Sequence, residues 1–189
     1  MRARFVLLLV ASCSGAAVAT DANAPQLIDM APGFHYAVPK ASPVKFDKKQ
    51  KDDHTAATFS GQFRVEGEYR YGRLSNDPKD EAAYDMIELV FVPDPAFRAD
   101  LPYWYERGPV EELSIENAED FAAAVIGPSL VQEVKRRRRM SVSGRAAIVV
   151  DRYTASVVCD TPTYTVHFLK VDKPPTVVAR NYLIQSGCL

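Results

Sequence analysis

From Thr58 to Tyr71 apolar and polar positions alternate without a break. Phe59, Gly61, Phe63, Val65, Gly67, Tyr69 and Tyr71 hold one parity; Thr58, Ser60, Gln62, Arg64, Glu66, Glu68 and Arg70 hold the other. A period of two puts successive side chains on opposite faces, so this stretch predicts a strand with one face buried and one wet. Its two inner glycines predict sharp bends. Gly72 to Ala83, with Asn76-Asp77-Pro78, reads as a polar turn. Tyr84 to Val92 is apolar on both faces, which predicts a central strand ended by Pro93. Arg145 to Cys159 predicts a second long strand; in its later half Tyr153, Ala155, Val157 and Cys159 alternate with Arg152, Thr154 and Ser156. Asp160-Thr161-Pro162-Thr163 reads as a hairpin turn, after which Tyr164 to Val171 pairs back. Lys173-Pro174-Pro175 breaks that strand, and Val177 to Ile184 predicts a last one.

Helical spacing is clear once, over Ala118 to Ile126. Asn117 is a suitable N-cap, Glu119 and Asp120 place negative charge in the first turn, and Phe121, Ala122 and Val125 share a face. Gly127-Pro128 stops it. Val110 to Ile115 predicts a short strand, Ser129 to Met140 fits either a helix or a strand, and Ser143-Gly144 reads as a turn. Thr20 to Ala57 shows no sustained periodicity. It carries Pro25, Pro32, Pro39 and Pro43 and then a charged run from Lys45 to His54. Such a segment buries little apolar surface against its ordering entropy, so it predicts a linker or draped arm, with Leu27-Ile28 and Phe34-His35-Tyr36 as docking patches. Three strands, a short helix, then two or three strands make an α+β, mostly β domain. Over residues 58 to 172 that order resembles the small OB-like antiparallel barrel, with its one short helix between strands 3 and 4. The alternative is another α+β fold with one antiparallel sheet and a packed helix.

The first nineteen residues lie outside that pattern. Arg2 and Arg4 precede an apolar run from Phe5 to Ala11, and Ala17-Val18-Ala19 supplies a small-residue cleavage site. That order predicts a signal peptide over 1–19, an extension over 20–57 and the β domain over 58–189. The expected location is periplasmic or secreted, with disulfides favoured. Val10-Ala11-Ser12-Cys13 resembles a lipobox, so the alternative is an outer-membrane lipoprotein anchored at Cys13. No asparagine opens an Asn-x-Ser/Thr site, in keeping with a bacterial source. No second apolar stretch is long enough to predict a membrane span.

Composition adds limits. Removing Arg2 and Arg4 turns 23 basic against 24 acidic residues into 21 against 24, a net charge of −3. That balance predicts no nucleic-acid partner. Setting Cys13 aside leaves Cys159 and Cys188, an even pair that predicts one disulfide. The loop of about 30 residues would be worth about 3.6 kcal/mol in the chain-entropy account.

Signals for chemistry are sparse. His35, His54 and His167 are far apart in sequence, and no metal-ligand spacing, nucleophile elbow, phosphate loop or dinucleotide fingerprint occurs. No catalytic residue, metal or cofactor is therefore expected. Glu66 and Glu68 could serve acid–base work, but beside Arg64 and Arg70 they read as a solvated strand face. Two candidates for binding remain. Lys135, Arg136, Arg137, Arg138 and Arg139 form a run of five cations suited to an acidic partner, against the plainer reading of a solubilising edge. The loop Asp94 to Gly108 carries Tyr103, Trp104 and Tyr105, suited to protein or glycan recognition, against the plainer reading of a lid on the barrel's open end. The expectation is a non-enzymatic binding protein for a protein partner or an acidic envelope polymer. The alternatives are an inhibitor or immunity protein against an envelope-acting toxin or lysozyme, and a hydrolase.

Overall fold

A computed structural model describes residues 24–50, 53–73, 87–137 and 140–180. In chain order the strands are β1 (Gln26–Ala31), β2 (Phe34–Val38), β3 (Lys45–Gln50), β4 (Asp53–Ser60), β5 (Phe63–Arg73), β6 (Ile87–Pro93), β7 (Tyr103–Trp104), β8 (Ser114–Ile115), β9 (Ser141–Val158), β10 (Thr161–Lys173) and β11 (Val178–Arg180). The helical segments are α1 (Pro95–Arg98), α2 (Ala118–Phe121), which continues as a π-turn over Ala122–Ile126, and α3 (Pro128–Arg136). The fold is α+β and mostly β.

β9 is the spine. Along one side it pairs antiparallel with β5, from Phe63 opposite Val150 to Gly72 opposite Ser141, and then with β4, where Phe59 lies opposite Tyr153. Along the other side it pairs with β10 and, near its start, with β11. The alternation from Thr58 to Tyr71 is thus two strands that share one side of β9, broken at Gly61. Gly61 has φ +137°, and a Cβ there would sit 2.9 Å from the Pro43 carbonyl oxygen. The β9–β10 turn is Cys159-Asp160, with φ +49° and +61°; positive φ at both centres is the type I′ pattern that matches strand twist. The ladder is bulged where Arg152 and Tyr153 together oppose Val166. Arg152 takes φ +52° there, and such bulges bend and twist a sheet.

β3 extends the sheet beyond β4, β6 beyond β5, and β8 pairs parallel with β10. Continuous pairing does not close this sheet into a barrel: β6 meets the approach to β8 at one bridge, where the Leu113 N–H donates to the Phe91 carbonyl at 2.8 Å. β1, β2 and β7 form a separate three-stranded sheet.

Several sequence expectations change; among them, Thr161 to Thr163, read as part of the hairpin turn, already belong to β10. The stretch read as an extension is built into the fold from residue 24 on. It carries β1 to β4 and contributes Ile28, Met30, Tyr36, Ala37 and Val44 to the core. Its strands are short and separated by prolines, and β3 is an edge strand with exposed charge on both faces, so no periodicity develops. Exposed Lys45 and Lys48 on that edge also discourage pairing with another chain. β6 lies at a sheet edge rather than its centre; Leu89 and Ile87 pack from it against the core while Phe91 is fully buried. Ser143-Gly144 lies inside β9, not in a turn. A Cβ on Gly144 would fall 1.9 Å from the Thr176 carbonyl oxygen, so the glycine serves a close crossing of two chain segments. Of the ambiguous stretch from Ser129, residues up to Arg136 are helical, with Pro128 at the first turn where its missing N–H costs nothing.

Tyrosines with buried rings tie segments of the fold together through hydrogen bonds between their hydroxyls and the backbone. Tyr153 donates to Pro102 at 2.5 Å, Tyr36 to Thr55 at 2.6 Å and Tyr69 to Thr176 at 2.9 Å, and Tyr164 accepts from the Trp104 N–H at 3.0 Å. Burial pushes the Tyr69 phenol up to about 12 and holds the Tyr153 phenol well above its ordinary value as well. Asn117, expected as a side-chain N-cap, acts instead as a clamp on β10. Its Oδ1 accepts the Phe168 N–H at 2.8 Å and its Nδ2 donates to the Phe168 carbonyl at 2.9 Å. That imitates a strand pair and seats α2 under Phe168, whose ring meets Phe121 edge-on.

Candidate functional site

The two sequence candidates end up in different settings. Lys135, Arg136 and Arg137 occupy the last turn of α3 and the residue after it, where positive charge suits the helix dipole. Lys135 donates to Glu119 at 3.1 Å, and that bond holds its ammonium above the usual range. Arg137 pairs with Glu133 one turn earlier at 2.7 Å. Arg138 and Arg139 lie outside the described residues. The described part of the run is therefore largely matched by local carboxylates.

The aromatic stretch is organised by β7. Tyr103 and Trp104 pair with Ala37 and Tyr36 of β2, and the next residue continues the approach, the Tyr105 N–H donating to the His35 carbonyl at 2.8 Å. Trp104 is buried at 5% exposure, stacked on Phe34 with ring centroids 5.6 Å apart, and has the Arg107 guanidinium over its ring, 5.3 Å from the centroid. Its indole N–H is buried without a hydrogen-bond acceptor among the described residues. Tyr103 is half-buried, and Tyr105 is 53% exposed. Of the three aromatics, Tyr105 is the most exposed.

Sequence reasoning did not connect His35 with this loop. Across β1 and β2, Asp29 stands opposite His35, and the Asp29 carboxylate lies 3.5 Å from His35 Nε2. On the other side of the ring His35 Nδ1 is hydrogen-bonded to Glu106, whose second oxygen accepts the His35 backbone N–H at 3.4 Å. The bond to Glu106, reinforced by the charges of Glu106 and Asp29, raises the His35 pKa above 6.5 despite partial desolvation. Desolvation pushes Glu106 up, but its bonds from His35 and from backbone outweigh that and hold it below 4.5. The signal was present in sequence only as two separate features, a histidine beside aromatics and an acid after them, 71 residues apart.

The remaining candidates are ordinary by comparison. Glu66 and Glu68 stand on the wet face in a mesh of ion pairs: Arg64 reaches Glu66 and Asp172, each at 2.6 Å, and Arg145 reaches Asp94 at 2.6 Å and Glu68 at 3.6 Å. A shallow notch at the β4–β5 bend is lined by Asp47, Thr58, Ser60, Gln62, Asp151 and Arg152. Among the described residues no three histidine, cysteine or acidic side chains are grouped to hold a metal ion, and no helix is long and apolar enough to cross a membrane. Cys159 is exposed in the β9–β10 turn; Cys188, like residues 1–23 with the signal region and Cys13, lies outside the described residues. No family model, no curated protein and no solved structure matches this chain.

Proposed function

We propose that the protein is exported to the periplasm or beyond and acts there as a non-enzymatic binding protein, meeting a protein partner or an envelope polymer through the end formed by β1, β2 and β7. The observation that carries this reading is Tyr105. It is a large, more than half-exposed aromatic on a backbone held by the His35 carbonyl, flanked by Glu106 and by Arg107 on the Trp104 ring. An aromatic and an arginine fixed before contact lose little entropy on binding, which is why such residues dominate interface energies. The larger sheet is read as an OB-like barrel. Supporting that reading are the antiparallel pairs β5–β6, β5–β9 and β9–β10, the parallel pair β8–β10, the Phe91–Leu113 bridge, and helices between β8 and β9.

The test is affinity capture from envelope extract of the native host with three baits. The wild-type chain defines the captured species. A Tyr105→Ser, Arg107→Gln bait is expected to lose it, and an Arg136→Gln, Arg137→Gln bait to retain it. The opposite pattern transfers the contact to the end of α3.

A further inference from the structure

His35 is the one ring in this region with a carboxylate at each nitrogen: Glu106 at Nδ1 and Asp29 at Nε2. A neutral imidazole has one N–H and one lone pair. If the neutral ring donates from Nδ1 to Glu106, its Nε2 lone pair faces the Asp29 carboxylate; the other tautomer sets its lone pair against Glu106. Only the imidazolium, with two N–H groups, satisfies both partners. The carboxylates sit on different segments. Asp29 belongs to β1, while Glu106 belongs to the turn after β7 that presents Tyr105.

We propose that Asp29, His35 and Glu106 form a proton-operated latch that fastens the Tyr105 turn to the β1–β2 hairpin in mildly acidic surroundings and slackens as the pH rises. As regulation of binding, the latch rests on the reading of this end as the contact surface; as a conformational device it does not. The other titratable or charged side chains described on the elements around His35 are Tyr36 on β2, Tyr103 on β7, and Tyr105 and Arg107 on the turn. Tyr36 is engaged with Thr55, and Arg107 is turned onto the Trp104 ring. Phenols and guanidinium groups as classes titrate well outside the range from about pH 4 to 8. The sign follows from the two carboxylate contacts. A histidine whose folded pKa is raised adds stability that is complete below 6.5 and is lost as pH climbs through the folded value. Glu106, held low, adds stability that is complete above 4.5 and is lost as pH falls through its folded value. The latch is therefore closed in a window from below 4.5 to above 6.5.

The chain contains a single tryptophan, Trp104, which ends β7 directly before that turn. Its fluorescence and the His Cε1–Hε1 NMR signals are to be followed from pH 4.5 to 8.5 on the mature chain. The expected result is a His35 midpoint above 6.5, matched by a one-proton change in Trp104 emission. Glu106→Gln lowers that midpoint, Asp29→Asn lowers it by less, and His35→Gln abolishes the emission change. A His35 midpoint at or below 6.5, or an emission change that survives in His35→Gln, overturns the latch. Should His35→Gln fail to fold, the wild-type titration decides, with His54→Gln and His167→Gln assigning the third signal by exclusion. A latch that titrates as stated beside normal capture by the Tyr105→Ser, Arg107→Gln bait refutes the contact surface alone. An untitrating His35 beside lost capture refutes the latch alone.

Discussion

The spine around β9 and the small sheet of β1, β2 and β7 are held by different means. On the spine the ladder with β5 runs ten residues, and the ion pairs on its wet face are built on arginine. The carboxylates around Arg64 and Arg145 only strengthen cations that never titrate near neutrality. The small sheet joins β2 to β7 by two residue pairs, and its fastening to the Tyr105 turn runs through a histidine. One region is insensitive to its solvent by construction, and the other answers to it. A domain that needs both a fixed scaffold and an adjustable end keeps its titratable group away from the long ladders, where opening is costly, and at a short one, where it is not.

Glycine substitutions test the comparison with the largest effect. A Cβ at Gly67 would fall 2.2 Å from the Val92 carbonyl oxygen, inside the β5–β6 pairing. Backbone on both strands would have to move, so Gly67→Ala is expected to cost about 3 kcal/mol, at the upper end of overpacking costs. Gly33, in the Pro32-Gly33 turn between β1 and β2, has φ +80° and nothing within 4 Å of such a Cβ. Only the left-handed backbone opposes a side chain there, and Gly33→Ala is expected to cost about 1 kcal/mol. Urea unfolding of both variants measures the gap, and equal costs would erase the distinction between a space-limited spine and a conformation-limited hairpin.

A smaller effect reports on how the two regions are joined. The Tyr153 hydroxyl, from the spine, donates to the Pro102 carbonyl just before β7. Tyr153→Phe leaves that carbonyl without its donor in a buried place, and should cost about 1–3 kcal/mol. Hydrogen exchange locates the loss: β7 amides should exchange faster while those of the β5–β9 ladder keep their protection. Uniform loss of protection would mean that the small sheet has no separate stability.

How much of this was legible in sequence follows from how local each signal is. The β4–β5 alternation, the existence of a long β9 and the helix before Gly127 are written in neighbouring residues, and they were readable; the start of β9 and the exact turn after it, Cys159-Asp160 rather than Asp160 to Thr163, were not. Asn117 was recognisable as special, but its role depends on Phe168, 51 residues away. Gly144 looked like a turn because a glycine demanded by Thr176 crossing the strand leaves the same local trace. β1 to β3 and the start of β4 went unread because β1 and β2 are short and β3 carries exposed charge on both faces. The candidate site was half legible: the aromatics of β7 stood out, but the histidine and aspartate that complete it come from the hairpin that showed no periodicity.

Changing pH sharpens the contrast without disturbing packing. His35→Gln should lower the urea midpoint relative to wild type near pH 5.5, where the wild-type ring is charged between two carboxylates. The difference should shrink toward pH 8.5, as the raised folded pKa is passed. Arg64→Gln, which removes a partner of Glu66 and Asp172, should give a difference that is constant from pH 6 to 8.5, because the arginine stays charged throughout that range. Parallel profiles for the two variants would deny the small sheet its distinct sensitivity.

The smallest effect belongs to the cations of α3, which lie in neither region. Arg137 pairs with Glu133 across one helical turn with both ends partly in water, a contact worth about 0.3–0.5 kcal/mol. Arg136 is exposed. Replacing both by glutamine retains helix propensity, so the unfolding free energy should stay within about 0.5 kcal/mol of wild type, and the pH profile should keep its shape. Raised salt should narrow even that difference, since exposed pairs are screened within about 10 Å at 0.1 M. A larger, salt-resistant loss would show that the end of α3 is held by more than the Arg137–Glu133 and Lys135–Glu119 pairs.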